Sequence, residues 1–322
     1  MYYNDEVKQK YLETLDIREK LNRANKMFST AFEREVAMKR DLGLFGHDDV
    51  VWLVNQLATI DVVTLNKQIA EVYAYQQWYL QTVQTINAEL FDSSVVACNQ
   101  KKVAKEDIDF TETIKHNLVL DFSEVVAAMK AVIPFDEGII VPPLLCFAWL
   151  NINIEDAVRI PYDGVQWSTR QIFNEQGNLL VDDVPSDIYD ILWQYTNTSV
   201  GKSGRKTVYP YHTGYFLRPF LPRGYEAPCE PIKVNTASAA IYRVNQRIKD
   251  LSLDCCEVTY ANIQKSGQFQ MMFDKEPMSL YSIEGRAFVN ELCGNNQRDF
   301  LKSRVYDVLY IYEQYKKAFN LI

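Results

Sequence analysis

The sequence contains no apolar run long enough to cross a membrane. A spanning helix needs about 20 predominantly apolar residues, and the longest apolar stretch, 138–150, is interrupted by Pro142 and Pro143. The N-terminal segment, MYYNDEVKQKYLETL, is charged and lacks the apolar core of a secretory signal peptide. We therefore expect a cytoplasmic protein with no membrane partner.

Histidine is scarce and cysteine is scattered. The chain has three histidines, and none of its cysteines forms a CxxC pair. Structural zinc sites and disulfide frameworks both need such ligands at regular spacing. The composition therefore predicts neither, and we expect no cofactor. The six cysteines are Cys98, Cys146, Cys229, Cys255, Cys256 and Cys293.

Positive charge is in deficit, with 34 lysines and arginines against 42 aspartates and glutamates and a net charge of -8. The 48% of hydrophobic residues are typical of a globular protein. An acidic protein does not attract nucleic acid as a whole, so a DNA surface would have to be a local basic patch. The candidates for phosphate contacts are Lys202, Arg205, Lys206, Arg243 and Arg247.

The same basic residues have a second interpretation as solvated surface. Three of them fall in the glycine- and serine-rich segment 199–208, which we predict to be a flexible loop. Four aspartates lie close to it in sequence and would weaken a positive field, so both interpretations stay open. These aspartates are Asp182, Asp183, Asp187 and Asp190.

The tripeptide GKS in this segment is not a phosphate-binding loop. That motif needs a glycine five residues before Gly201, where this chain has Thr196, and no apolar strand leads into it. We therefore expect no nucleotide site there.

Helical periodicity dominates the first part of the chain. Phe28, Phe32 and Val36 recur at helical spacing within the charged segment 5–40, which predicts an amphipathic helix with these three residues on its apolar face. A second helix is predicted from Thr64, as its N-cap, with further helical blocks at about 105–115 and 122–132. The segment 132–143 holds three prolines and a glycine and predicts a boundary near residue 134. We thus expect an N-terminal helical segment (1–47), a helical domain (48–133) and a second domain (134–322).

The second domain combines a hairpin with helices. TRQIF and NLLVDDV flank the turn NEQGN, which predicts an antiparallel hairpin. Ser186 is the predicted N-cap of the next helix, and further helices are predicted at about 236–249, 259–274 and 298–319. The predicted fold class is mainly α with a small antiparallel β-sheet (α+β).

The last predicted helix carries an apolar seam that must pack against this chain or against a second copy, as a homo-oligomer. The five tryptophans fall on apolar faces or at element ends, which favours core packing over base stacking. The seam consists of Leu301, Val305, Val308, Tyr312, Tyr315 and Phe319, and the tryptophans are Trp52, Trp78, Trp149, Trp167 and Trp193.

This ordered set of features resembles the tyrosine recombinases, the phage integrase family. VVTLNKQIAEVYAYQQWYLQ (62–81) is similar to a helix of their SAM-like core-binding domain. LLCFAWLNINIEDAVRIPYDGVQW (144–167) resembles the first catalytic box, and VTYANIQKSGQF (258–269) resembles the second. The resemblance implies a helical core-binding domain, then a recombinase catalytic-type domain, and an origin in a phage or another mobile element.

In this family a tyrosine hydroxyl attacks a DNA phosphate. Two arginines neutralise the developing charge, while a lysine and a histidine move protons. When the first box is aligned on Asp156, Asn153 occupies the position of the first arginine. The hairpin turn NEQGN also lacks the expected lysine.

The second box departs from the family in the same way. Ala261 and Gln264 stand where the family has its histidine and second arginine, and a shift by one position would offer Lys265 instead. The resemblance therefore implies that Asn153, Ala261 and Gln264 lie near one another in the folded chain. Tyr306 falls about where the nucleophile is expected, in a segment that holds several tyrosines.

With these replacements, the resemblance implies a recombinase-like protein that binds double-stranded DNA but is not an active enzyme. It would serve as an accessory, regulatory or assembly factor. Two alternatives stay open. One is an active, divergent integrase that takes its charges from Lys265, Lys202 or Arg205, and the other is a structural interaction protein that keeps only the fold.

Overall fold

A computed structural model describes residues 2–83, 102–132, 140–203, 206–221, 224, 229–253, 255–276, 279–294 and 302–321. The chain divides into two units, of which the first contains Met1–Ile114 and Tyr310–Ile322 and the second contains Lys115–Leu309. The structure is mainly helical with short antiparallel sheets, which confirms the predicted α+β class.

Thirteen α-helices lie in the described part of the chain, and none of them is both long and apolar enough to cross a membrane. They are α1 (Asp5–Leu12), α2 (Arg18–Met38), α3 (His47–Gln56), α4 (Val62–Val83), α5 (Thr111–Asn117), α6 (Phe122–Val132), α7 (Val141–Trp149), α8 (Ile154–Ala157), α9 (Ser186–Asn197), α10 (Val234–Asp250), α11 (Tyr260–Asp274), α12 (Ile283–Gly294) and α13 (Lys302–Ala318).

The first unit packs aromatic side chains between its helices. Phe28 of α2 lies edge-on to Tyr75 of α4 with ring centroids 4.8 Å apart, and Tyr11 of α1 contacts both rings. Beside them, Lys8 of α1 forms a fully buried ion pair with Glu35 of α2. Because these contacts join α1, α2 and α4, the predicted separate segment 1–47 shares one core with the helices that follow it.

Two local predictions in this unit were wrong. Val36 is 49% exposed, because the buried side of α2 passes through Glu35 and its ion pair with Lys8. Asp61, not Thr64, caps α4, because its carboxylate accepts hydrogen bonds from the backbone N–H groups of Val63 and Thr64.

The second unit contains two small sheets. In the first, β1 (Val165–Gln166), β2 (Gln171–Phe173) and β3 (Leu179–Val181) are antiparallel, with Ile172 paired to Val165 and Val181. This confirms the predicted hairpin. In the second sheet, β4 (Gly201–Ser203), β5 (Lys206–Pro210) and β6 (Phe220–Leu221) are also antiparallel.

The second sheet corrects the predicted flexible loop at 199–208, since Gly201 pairs with Val208 and Val208 is buried. Helix α9 begins at Ser186 as expected, but its N-cap residue is Pro185 and no side chain caps it. Helix α12 was not predicted from the sequence.

Helices α7 and α11 approach each other closely in the core of the second unit. A Cβ added to Gly267 of α11 would lie 2.0 Å from the carbonyl oxygen of Trp149 in α7, so only glycine fits at this crossing. Nearby, Ser266 Oγ accepts a hydrogen bond from the backbone N–H of Val119. The close approach of Gly267 to Trp149 holds the C-terminal end of α7 against α11.

The division into units differs from the boundary predicted near residue 134. Phe122, Val125 and Val132 of α6 belong to the same buried cluster as Val141 and Leu144 of α7. The segment 132–143 therefore ends one helix and starts another within a single core. Its residues 133–139 lie outside the described residues.

The predicted seam of the last helix is largely buried, with Val305, Tyr312 and Tyr315 all under 5% exposed. The rings of Tyr312 and Tyr315 stack with centroids 6.4 Å apart. Val308 and Phe319 are half-buried, and Leu301 lies outside the described residues. Because the seam packs within one chain, it no longer requires a second copy.

Candidate functional site

The candidate site is built on the turn that joins α7 to α8. Asn151 has a left-handed backbone with φ of 61°, a conformation that asparagine tolerates better than most residues. Asn153 follows as the N-cap residue of α8, without a side-chain cap hydrogen bond. The turn therefore presents two carboxamides from one short segment.

Helix α11 brings a third carboxamide to this turn. Gln264 Nε2 lies 3.3 Å from Asn153 Oδ1 and 3.3 Å from Asn151 Oδ1, with the carbonyl oxygen of Ile152 at 3.5 Å. Tyr260, one turn earlier, donates its hydroxyl hydrogen to the same carbonyl at 2.8 Å. The positions aligned with the two family arginines thus lie within hydrogen-bond distance of each other, which confirms their predicted proximity.

A fourth carboxamide connects this group to α12. Gln268 Nε2 donates to Asn151 Oδ1 at 2.9 Å, and Asn151 Nδ2 donates to the carbonyl oxygen of Leu292 at 2.8 Å. We call Asn151, Asn153, Gln264 and Gln268 the amide cluster. The cluster links the turn after α7 to α11 and α12 through neutral side chains.

The neutrality of the amide cluster limits its chemistry. Carboxamides donate and accept hydrogen bonds, but they neither titrate near neutral pH nor carry charge. Burial raises the pKa of Tyr260 well above its ordinary value, and Glu155 and Asp156 raise it further. The cluster and its tyrosine can therefore hold a neutral polar group but cannot balance the charge of a phosphate.

Lys265, the alternative for the second arginine, turns toward other groups. Its Nζ lies 5.4 Å from the ring centroid of Phe269, one turn later on α11. It also acts on Cys293: burial raises the pKa of that thiol, and the lysine charge partly offsets the rise. Lys265 thus lies beside the C-terminal part of α12.

The remaining catalytic candidates lie at the surface. Ala261 is exposed in the first turn of α11, one turn before Gln264, and has no polar group to transfer a proton. Tyr306 of α13 is 50% exposed, and the guanidinium of Arg286 lies 5.9 Å from its ring centroid. The structure brings Asn153 and Gln264 together. It places Tyr306 against Arg286, a residue that was not among the predicted site residues.

The predicted DNA contacts fall on three elements, the helix α10 and the strands β4 and β5. Arg243 and Arg247 are both exposed on α10, one turn apart, and the neighbouring Lys249 pairs with Glu257 at 3.0 Å. Lys202 lies in β4 and Lys206 in β5, which are adjacent strands. Arg205 lies outside the described residues.

Sequence reasoning missed Asn151 and Gln268. Both could have been suspected, because Gln268 is one helical turn after Gln264 and Asn151 precedes Asn153 in the segment LNIN. Within the described ranges, no three histidine, cysteine, aspartate or glutamate side chains converge as a metal site would require. No protein-family model and no curated protein matches this chain.

Proposed function

We propose that this chain is a tyrosine-recombinase-like DNA-binding protein that does not cleave DNA and that acts as an accessory, regulatory or assembly factor of a phage or mobile element. In this proposal the first unit corresponds to the core-binding domain and the second to the catalytic-type domain. The observation that carries it is the hydrogen bond between Gln264 and Asn153.

This contact supports the proposal because Asn153 and Gln264 hold the positions of the two family arginines, one in each box. The family's arginines act on one phosphate, so their positions must converge in the folded chain. Gln264 and Asn153 are 111 residues apart in sequence, yet their side chains are 3.3 Å apart. If the two boxes were aligned in the wrong register, Asn153 and Gln264 would not be expected to lie in contact.

The lack of cleavage follows from the charge of these residues. Arginine grips two phosphate oxygens and stays charged, whereas asparagine and glutamine remain neutral. Loss of a single donor that stabilises a developing negative charge slows a reaction by roughly a hundredfold to a thousandfold. The amide cluster lacks both charges, and Ala261 supplies no general acid or base.

The active-integrase alternative takes its charges from Lys265, Lys202 or Arg205, and Lys265 is the one of these that lies beside the amide cluster, on α11. Its Nζ lies over the ring of Phe269, and its charge acts on Cys293 of α12, so this lysine is already engaged by two groups of the fold. We therefore favour the inactive protein.

Arg243 and Arg247 are the best-placed candidates for phosphate contacts. Both are exposed on one side of α10, and each phosphate that a protein neutralises steepens the salt dependence of binding. Fluorescence anisotropy with a labelled 20-base-pair duplex at several salt concentrations tests this. We expect Arg243→Gln with Arg247→Gln to lower the slope of log K against log salt by about two.

A matched control removes two positive charges elsewhere in the second unit. Lys115 and Lys130 are exposed and lie outside α10, so Lys115→Gln with Lys130→Gln should keep the wild-type slope. Wild-type protein that shows no salt-dependent binding, or equal slopes for the two double variants, would refute the proposed DNA surface.

A further inference from the structure

A partly exposed aromatic cluster lies between the first sheet and α9, with Trp193 exposed and Trp167 and Tyr189 half-buried. Trp167, which follows β1, packs edge-on against Tyr189 and Trp193 of α9, with ring centroids 5.2 Å and 5.0 Å away. Trp193 is 47% exposed, which corrects its assignment to the core. Tryptophans held half in solvent on a regular element are common at sites of protein association.

The surroundings of this cluster are acidic. Asp187, Asp190 and Trp193 follow one another at steps of three on α9, and all are exposed, so they share one side of the helix. The stretch 167–193 contains one cationic residue and five acidic residues, a net charge of 1 - 5 = -4. We call Trp167, Tyr189, Trp193, Asp187 and Asp190 the acidic aromatic face.

The one cation of this stretch shows how the face accommodates a guanidinium. Arg170 lies 6.0 Å from the ring centroid of Tyr189, pairs with Asp183 at 3.4 Å and donates hydrogen bonds to the carbonyl oxygen of Val184. It therefore combines an aromatic ring with a carboxylate, as cations on aromatic surfaces commonly do. Trp193 lies one turn after Tyr189 on α9, with Asp190 three residues before it, and no cation in the described part of the chain pairs with Asp190.

We propose that the acidic aromatic face binds an arginine- and lysine-rich peptide segment of a partner protein. The exposed Trp193 ring would receive one cationic side chain, and Asp187 and Asp190 would pair with its neighbours. A phosphodiester would be repelled by the same carboxylates. This surface is distinct from Arg243 and Arg247, so the inference does not depend on DNA binding.

The probe is a fluorescein-labelled decapeptide of alternating arginine and serine, titrated with the full chain and followed by anisotropy. We expect saturable binding that weakens with salt, and no binding of the matching glutamate and serine peptide. Trp193→Ala should weaken binding by about tenfold. Asp187→Asn with Asp190→Asn should weaken it similarly and flatten its salt dependence.

Matched controls separate this face from general surface effects. Tyr242 is 64% exposed on α10, so Tyr242→Ala removes an exposed ring elsewhere. Asp250→Asn with Glu284→Gln removes two other exposed carboxylates. Both controls should bind the peptide as the wild type does, and circular dichroism should show all variants folded.

Three results would overturn the inference. The first is equal peptide binding by the face variants and the controls. The second is that a DNA duplex displaces the labelled peptide, both from the wild type and from the variant Arg243→Gln with Arg247→Gln, but no longer binds Trp193→Ala. The face would then bind DNA and not a basic peptide. The third is sedimentation showing a dimer that Trp193→Ala dissociates, since a second copy would then cover the face.

Discussion

Gln264 Nε2 of α11 lies 3.3 Å from Asn153 Oδ1, at the start of α8, although 111 residues separate them in sequence. The contact joins the segments 144–167 and 258–269, which the proposed function takes as the two catalytic boxes. The site lacks positive charge at these two positions. A pair of arginines there would repel each other unless an anion lay between them. Two carboxamides satisfy each other without any ligand.

The amide cluster should contribute to stability through Gln268, which is 9% exposed. Gln268→Met keeps the side-chain volume but removes the hydrogen bond to Asn151 Oδ1, which lies at 2.9 Å. We expect the free energy of unfolding to fall by about 1–3 kcal/mol, since a polar group is left without its partner. Chemical denaturation measures it. Gln270→Met, a half-buried position on the same helix, should change it far less, and equal losses would contradict this role.

The crossing of α7 and α11 predicts a cost for any side chain at Gly267. A Cβ there would lie 2.0 Å from the Trp149 carbonyl oxygen, so Gly267→Ala must push the helices apart. We expect a loss of about 1–3 kcal/mol in the free energy of unfolding. Helix propensity alone would favour alanine by about 1 kcal/mol. Stabilisation by Gly267→Ala would show that the two backbones are not in contact.

The buried ion pair of the first unit predicts a strongly non-additive pair of substitutions. Lys8→Met or Glu35→Leu alone leaves one buried charge without its partner and should cost about 3–5 kcal/mol. The double variant replaces both charges with apolar groups and should lie near wild-type stability. Thermal and chemical denaturation of all four proteins measures the coupling. Additive losses would mean that the two charges do not depend on each other.

The same pair predicts a pH dependence of stability. Burial raises the pKa of Glu35 from 4.5 to about 6, although Lys8 and the backbone N–H of Leu42 act in the opposite direction. A folded-state pKa above the unfolded value means that the folded protein holds the proton more tightly. The stability from this proton is therefore present below pH 4.5 and is lost as the pH rises through about 6.

This loss corresponds to about 2 kcal/mol. Glu35→Gln should remove it from the curve of unfolding free energy against pH, whereas Glu33→Gln, at an exposed position of the same helix, should retain it. A wild-type contribution that increases with pH between 4.5 and 6 would contradict this assignment.

The sequence predicted the elements that depend on local pattern. The hairpin around NEQGN and the helices near 236–249 and 259–274 are present, because alternating and helical periodicities act within a few residues. The proximity of Asn153 and Gln264 came from the family resemblance and not from the pattern. Its confirmation by the fold is the main reason to retain that resemblance as a proposal.

Other features depended on tertiary contacts that no local pattern encodes. The burial of Glu35 in place of Val36 depends on Lys8 from another helix. The strands β4 and β5 come from a glycine-rich segment with little apolar character, which is typical of loops. The sequence placed Trp193 among the core residues, but its side chain is exposed. Its position at the surface depends on the packing of Trp167 against α9, which no local pattern encodes.

The most direct test incubates the protein with a suicide duplex that carries a nick beside the scissile phosphate. Under the proposed function, this duplex is made from the end sequences of the mobile element that encodes the protein. The same reactions are run on a native gel and on a denaturing gel, with Tyr306→Phe as the matched variant. We predict a salt-sensitive shifted band on the native gel for both proteins and no protein–DNA adduct under denaturing conditions. A denaturant-resistant adduct that disappears in Tyr306→Phe would show an active recombinase and contradict the proposal that the neutral amide cluster has replaced the catalytic charges.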